Sequence, residues 1–119
     1  MTPTIVLRSG RLVMVTGSSG GSRIITTVAE TILNVFAFGM NAQQAVDAPR
    51  IHMQWLPDEI QYESGALSQA QISALGANGY ALHRGDSWGS AQVIVVDPKT
   101  GRLSGGTDRR RPSGAAVGY

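Results

Sequence analysis

The sequence predicts an α+β fold built in layers, with helices grouped between two strand pairs. Short apolar runs come in twos, 4–7 with 12–16 and 91–96 with 102–104, joined by turns too short to cross over between parallel strands. Between the pairs lies a long segment, 23–38, whose apolar residues recur at helical spacing. A doubly wound parallel sheet fits these connections less well. No linker or internal repeat interrupts the chain, so residues 1–119 read as a single domain.

The elements follow in order. Arg8-Ser9-Gly10-Arg11 closes the first hairpin with a short Gly-containing turn. Between Ile24 and Ile32 seven of nine residues are β-branched, which disfavours a helix by local propensity. Periodicity favours one: Ile25, Val28, Ile32 and Val35 or Phe36 fall on one helical face, and Gly39 supplies a stop. We therefore predict a buried helix with Ser22 as its N-cap. Asn41 is placed to cap a second helix running to Ala48, which Pro49 ends by pushing its predecessor out of the α region. An irregular stretch containing Trp55 and Pro57 runs to Asp58, residues 60–63 are extended, 68–78 are helical with Gly79 as stop, and 80–83 are extended. Val93-Ile94-Val95-Val96 marks the clearest strand, which Pro98-Lys99-Thr100-Gly101 turns into 102–104.

Composition narrows the function only a little. A hydrophobic fraction of 42% is ordinary for a soluble globular domain, and ten basic against eight acidic residues leave too weak a field for a nucleic-acid footprint. The one dense basic cluster, Arg109-Arg110-Arg111, has no interleaved aromatics. The absence of cysteine excludes disulfides and thiolate chemistry. The first residues lack the pattern of a signal peptide, and no apolar stretch is long enough to span a membrane. For a piece of a longer protein, a missing signal would carry no meaning.

The most informative local feature is Gly17-Ser18-Ser19-Gly20-Gly21-Ser22-Arg23, between a strand and the long helix. Consecutive glycines before a helix leave main-chain N–H groups uncovered, and the helix N-terminus adds partial positive charge, so the loop can hold an anion or a developing oxyanion. A flexible turn is the plainer reading. A phosphate-binding P-loop fails, because Ser22 and Arg23 stand where Gly and Lys belong. Gly17-Ser18-Ser19-Gly20-Gly21 does satisfy G-x-S-x-G, so a nucleophile elbow at Ser19 with Asp47 or Asp58 and His83 is an alternative, although the flanking strands read as antiparallel.

Other chemistry-bearing residues point to less. His52 and His83 have no neighbours at ligand spacing, so no metal site is expected. Asp58 and Glu59 are adjacent in an extended stretch and face opposite ways, which does not suit an acid/base pair. Trp55 and Trp88 read as core or interface anchors rather than substrate platforms.

Several segments together resemble one family. Met1-Thr2-Pro3-Thr4-Ile5-Val6, Gly17 to Thr27 (GSSGGSRIITT), Ala48 to Asp58 (APRIHMQWLPD), Gly89-Ser90-Ala91-Gln92 and Arg111-Pro112-Ser113-Gly114-Ala115-Ala116-Val117-Gly118-Tyr119 are similar, in order and spacing, to the C-terminal part of the small subunit of gamma-glutamyltranspeptidase. Three positions depart from the pattern: Ser19 replaces a common Pro, Met53 a frequent second His, and Arg109 a Pro after the Asp. None removes a main-chain donor from Gly20 or Gly21.

The resemblance implies an N-terminal-nucleophile hydrolase fold, an αββα sandwich, of which residues 1–119 would form a C-terminal portion. It implies that a Thr, exposed by self-cleavage of a precursor, attacks the γ-glutamyl amide of glutathione or a similar small molecule and passes the acyl group to water or to an amino-acid or peptide acceptor. In the family that Thr and a substrate-binding serine pair precede the segment matching Met1, so the isolated chain is expected to be inactive. The partners implied are the upstream small-subunit segment and the large subunit, with self-association of the isolated piece. Neither cofactor nor metal is implied, and the family suggests a periplasmic or secreted location. One role transfers residue by residue: the main-chain N–H groups of Gly20 and Gly21 as an oxyanion hole. Two other classes stay open, a serine hydrolase using Ser19 and a non-catalytic module that kept the fold.

Overall fold

A computed structural model of the chain describes residues 3–111 and 114–118. Met1, Thr2, Pro112, Ser113 and Tyr119, which carry part of the terminal similarity, lie outside the described residues. The chain divides into two compact units, one made of the residues up to Ala48 and those from Trp88 onward, the other of Pro49–Ser87.

In the first unit β1 (Thr4–Arg8) and β2 (Arg11–Ser19) form the expected hairpin. Ser9 and Gly10 both have positive φ, 51° and 76°, as a two-residue hairpin loop matching the strand twist requires. β6 (Ser90–Val96) and β7 (Leu103–Thr107) complete an antiparallel sheet of order β1-β2-β6-β7. The β6–β7 turn is held by Asp97, whose carboxylate accepts the N–H groups of Lys99 at 2.7 Å and Thr100 at 3.0 Å. The Thr100 and Lys99 bonds hold that carboxyl below the usual range.

One expectation needs correction here. Gly17, Ser18 and Ser19 are not loop but the end of β2, paired with Gln92, Ala91 and Ser90. Small residues have weak strand propensity, but a neighbouring strand with its N–H and C=O groups in register overrides it. The loop shrinks to Gly20 and a single 3₁₀ turn, Gly21–Arg23, which runs straight into α1 (Ile24–Phe36). Ser22 is therefore inside a turn and caps nothing; Arg23 holds the N-cap position, with no side-chain cap. The buried face of α1 is also rotated from the predicted one. Thr27, Val28 and Thr31 are buried and Ile32 and Val35 pack on the core, whereas Ile25 is 78% exposed. α1 ends near Gly39 as expected, with Phe38 N–H reaching back to the Leu33 carbonyl and Met40 N–H to that of Asn34.

α2 (Ala42–Asp47) carries the predicted Asn41 cap as a full capping box with Gln44. Its Ala42 and Val46 meet Met14, Ala91 and Val93 to form the core on one face of the sheet. A side chain on Gly106 would collide with the Ala42 backbone, the carbonyl carbon lying 2.6 Å from where a Cβ would stand, so α2 sits directly on β7. Behind this contact Asp108, fully buried, accepts the N–H of Ala91 at 3.0 Å and of Arg110 at 2.9 Å. The Arg110 guanidinium donates to Asp108 at 3.1 Å and to the Val46 and Ala48 carbonyls at 2.9 and 2.8 Å, closing the C-terminal end of α2. Arg109 instead pairs with Asp47 at 3.5 Å, so the arginine cluster is split between inner and outer roles.

The other sheet face has no helix or strand upon it among the described residues. Because opposed residues share a face, Ile5, Val15, Ile94 and Leu103 project there, with Ile94 46% and Leu103 64% exposed. A trough of about 1040 Å³ runs along this face from Gly17 to the segment Ala115–Gly118. The outer edges of β1 and β7 are likewise unpaired among the described residues. Purified as 119 residues, the chain is expected to associate with itself through these edges and this face, giving dimers or larger species in sedimentation at tens of micromolar. A clean monomer at that concentration would contradict the expectation.

The second unit holds a three-stranded sheet, β3 (Ile51–Met53), β4 (Ile60–Tyr62) and β5 (Leu82–Arg84), with α3 (Gln69–Ala77) between β4 and β5. β3 falls in the stretch expected to be irregular. Three residues bounded by Pro49 and Trp55 give little periodicity, and they are extended because β4 pairs with them. β4 and β5 are parallel, a βαβ crossover in an otherwise antiparallel chain. α3 starts, as predicted, at Ser68, in a capping box with Gln71. Trp55 is 87% exposed here and anchors no core.

Candidate functional site

The site is built at the end of β2. Ser18, fully buried, donates its hydroxyl to the Ser19 carbonyl at 2.7 Å and accepts the Ser90 N–H at 3.3 Å, so it ties the last residues of β2 to the first of β6. Thr16 does the same one step earlier, donating to the Gln92 carbonyl at 2.9 Å. With the strand end fixed, the chain reverses at Gly20 and Gly21, both exposed and both at positive φ, 139° and 61°. A side chain is strained in either conformation. At Gly20 a Cβ would also touch the neighbouring strand, 3.4 Å from the Gly89 Cα, while at Gly21 it would meet nothing within 4 Å.

The turn closes through Arg23 N–H to the Gly20 carbonyl at 3.2 Å and Ile24 N–H to the Gly21 carbonyl. Carbonyls thus point along the turn. Among the hydrogen bonds of the described residues, the N–H groups of Gly20 and Gly21 donate to no protein acceptor. They open the first turns ahead of the 13-residue α1, whose first turn carries no acidic side chain. Adjacent uncovered N–H groups at the positive end of a helix can stabilise negative charge on an oxygen placed before them.

The candidate nucleophile Ser19 sits differently from an elbow serine. It is the last residue of a strand antiparallel to both neighbours, opposite Ser90, rather than the crest of a turn leaving a parallel strand. Of its suggested partners, Asp47 accepts from Gln43 and pairs with Arg109, while Asp58 and His83 belong to the second unit. In that unit His52 is buried with Nε2 2.9 Å from Gln54 Oε1, and His83 is exposed. The two histidines pair with opposite sides of Gln61, two strand spacings apart. Among the described residues no cluster of His, Asp and Glu is arranged to hold a metal ion.

Sequence reasoning missed what surrounds the turn. The Arg23 guanidinium lies 5.0 Å from the centroid of the Trp88 ring, which is 5% exposed. Trp88 precedes Gly89, on which Gly20 rests, and Ser90, which Ser18 binds. The juxtaposition of 18–23 with 88–90 depends on the long-range β2–β6 pairing, for which a single sequence has no local signal.

Against known proteins, the family model described as gamma-glutamyltranspeptidase matches residues 1–118. The glutathione hydrolase proenzyme of Escherichia coli K12 is 44% identical over 119 residues, covering all of this chain and 20% of that protein. The chain thus spans about a fifth of the length of that relative. Among solved structures, a gamma-glutamyltranspeptidase of Helicobacter pylori superposes with a TM-score of 0.87 at 44% identity, covering 93% of this chain and 61% of the other. A cephalosporin acylase from Bacillus halodurans superposes with a TM-score of 0.81 at 28% identity, over 91% of this chain and 20% of the other.

Proposed function

The chain belongs to the gamma-glutamyltranspeptidase family and has part of its N-terminal-nucleophile hydrolase fold, and from that premise we propose that residues 1–119 form one domain in the C-terminal part of a γ-glutamyl-transferring or -hydrolysing enzyme. In this reading Gly20 and Gly21 supply the oxyanion hole. The observation that carries it is the pair of adjacent main-chain N–H groups of two exposed glycines, without acceptors among the described residues, at the mouth of a helix and held by a buried seryl bridge.

The chemistry follows from that placement. The nucleophile is a Thr hydroxyl on polypeptide outside residues 1–119, with its own α-amino group as base. Attack on the γ-glutamyl carbonyl moves an electron pair onto the carbonyl oxygen, and two N–H donors aimed at that oxygen lower the barrier most where its charge is greatest. Collapse expels the amine, for glutathione the cysteinylglycine portion, and leaves an acyl-enzyme. Water or the amino group of an acceptor then attacks the same carbonyl, and the oxyanion forms again before the same donors. The open sheet face is the surface on which the second sheet of an αββα sandwich packs, so the remainder of the small subunit and the large subunit are the proposed partners.

The test is a chimera in which residues 1–119 replace the matching segment of the Escherichia coli relative. The chimera is expected to release chromophore from a γ-glutamyl anilide, and the isolated 119-residue chain is expected to release none above background. Turnover by the isolated chain that survives Ser19→Ala would overturn the assignment of an external nucleophile.

A further inference from the structure

We infer that Arg23 and Trp88 are positioning residues for the oxyanion turn: the guanidinium stacked on the buried indole clamps the 3₁₀ turn Gly21–Arg23 against the start of β6. The inference rests on the reading of Gly20 and Gly21 as the oxyanion donors. Its physical basis is the way the turn is held from both ends. At the β2 end, Ser18 binds the Ser90 N–H, and Gly20 lies against Gly89, where a Cβ would stand 3.4 Å from the Gly89 Cα. At the α1 end, the Arg23 guanidinium lies 5.0 Å from the centroid of the Trp88 ring. Trp88, Gly89 and Ser90 are consecutive, so one short segment braces residues 18, 20 and 23 in succession.

The brace adds to the main-chain bonds that close the turn. Gly20 and Gly21 carry no side chain, lie exposed, and have more conformational freedom than other residues. An oxyanion hole is effective only when its donors already point at the developing charge, and small misplacements cost rate steeply. A planar, delocalised cation on a tryptophan face is a directional contact, stronger where the ring is desolvated. Trp88 is 5% exposed. Clamping Arg23 also fixes the Arg23 N–H bond to the Gly20 carbonyl, and so the plane of the peptide that carries the Gly21 N–H.

In the chimera, Arg23→Met should lower kcat about tenfold with KM within about twofold, since donors that act on the transition state are misaligned and substrate binding is not. Arg23→Lys, which keeps a cation able to sit on the ring, should recover most of the loss. Trp88→Leu keeps the charge and removes the ring; it should fall as far as Arg23→Met, and the double variant should fall no further, because the two act through one contact. If Trp88→Leu leaves kcat unchanged, or the two losses multiply, Arg23 acts by charge alone and the brace is refuted. The Gly21→Val control separates this from the underlying reading: if Gly21→Val lowers kcat steeply while Arg23→Met leaves it unchanged, only the brace fails; if Gly21→Val is harmless, the oxyanion assignment itself falls. A readout independent of turnover is the ¹⁵N chemical shifts of Gly20 and Gly21 in the 119-residue chain. Arg23→Met should move both and Arg23→Lys should bring them back, and unmoved shifts would overturn the brace even if the chimera fails to mature.

Discussion

Gly21→Val in the chimera is expected to lower kcat by about 10²–10³-fold with KM nearly unchanged, the loss typical of one oxyanion donor and equivalent to roughly 3–4 kcal/mol of transition-state stabilisation. The cause is conformational. A Cβ at Gly21 would meet no protein atom, so crowding is not the difficulty; the difficulty is φ of 61°, which a β-branched residue adopts only under strain. Relief of that strain rotates the peptide that presents the N–H. Because the oxyanion exists only in the transition state, the fall belongs in kcat. Ser19→Ala should be mild by comparison, since its side chain is exposed at a strand end and the seryl bridge is made by Ser18. Steady-state kinetics on both variants decides: abolition by Ser19→Ala with Gly21→Val within about threefold of wild type would reverse the roles assigned to this turn.

The second large effect concerns stability. Arg110→Met should destabilise the 119-residue chain by about 3–5 kcal/mol, because it removes the guanidinium that neutralises the fully buried Asp108 carboxylate and uncovers the carbonyls at the end of α2. Arg110→Lys should recover only part, since one ammonium cannot reproduce the planar fork that reaches the carboxylate and the Val46 and Ala48 carbonyls together. Arg109→Ala is the matched control. Its partner Asp47 lies 3.5 Å away and Arg109 is exposed, so the change should stay within about 1 kcal/mol. Urea unfolding of the three variants measures the differences, and a loss below about 1 kcal/mol for Arg110→Met would show that the buried pair contributes little.

These two sites differ in how far the sequence disclosed them. The uncovered N–H groups of Gly20 and Gly21 are legible, because small residues before a helical pattern already imply them. Asn41 and Ser68 were legible as helix starts because a capping box is a local motif. The length of β2 was not, since Gly17-Ser18-Ser19 has loop composition and becomes strand only through β6, more than seventy residues away. Periodicity misplaces the inward face of α1 for a related reason. Thr27 and Thr31 are polar by type, yet Thr31 spends its hydroxyl on the Thr27 carbonyl at 2.8 Å, and both pack inward while Ile25 points out. Nothing in periodicity distinguishes Arg110 from Arg109 or Arg111 either; only the fold assigns it to Asp108.

The pairing of β2 with β6 also shapes how the domain is made. Thr16 bonds to a residue 76 positions later, and the residues of the second unit fall between the two strands in the sequence. Such contacts are entropically expensive to nucleate, so β2–β6 docking, and with it the glycine turn, should be a late event in folding rather than an early one. Once closed, however, the connection is cheap to lengthen, since the entropy of closing a flexible loop grows only with the logarithm of its length, about 0.6 kcal/mol per doubling. The connecting turns within residues 49–87 can therefore lengthen with little effect on the stability of the β1-β2-β6-β7 sheet, while an insertion of one residue in β2 or β6 would shift the register that sets Gly20 against Gly89.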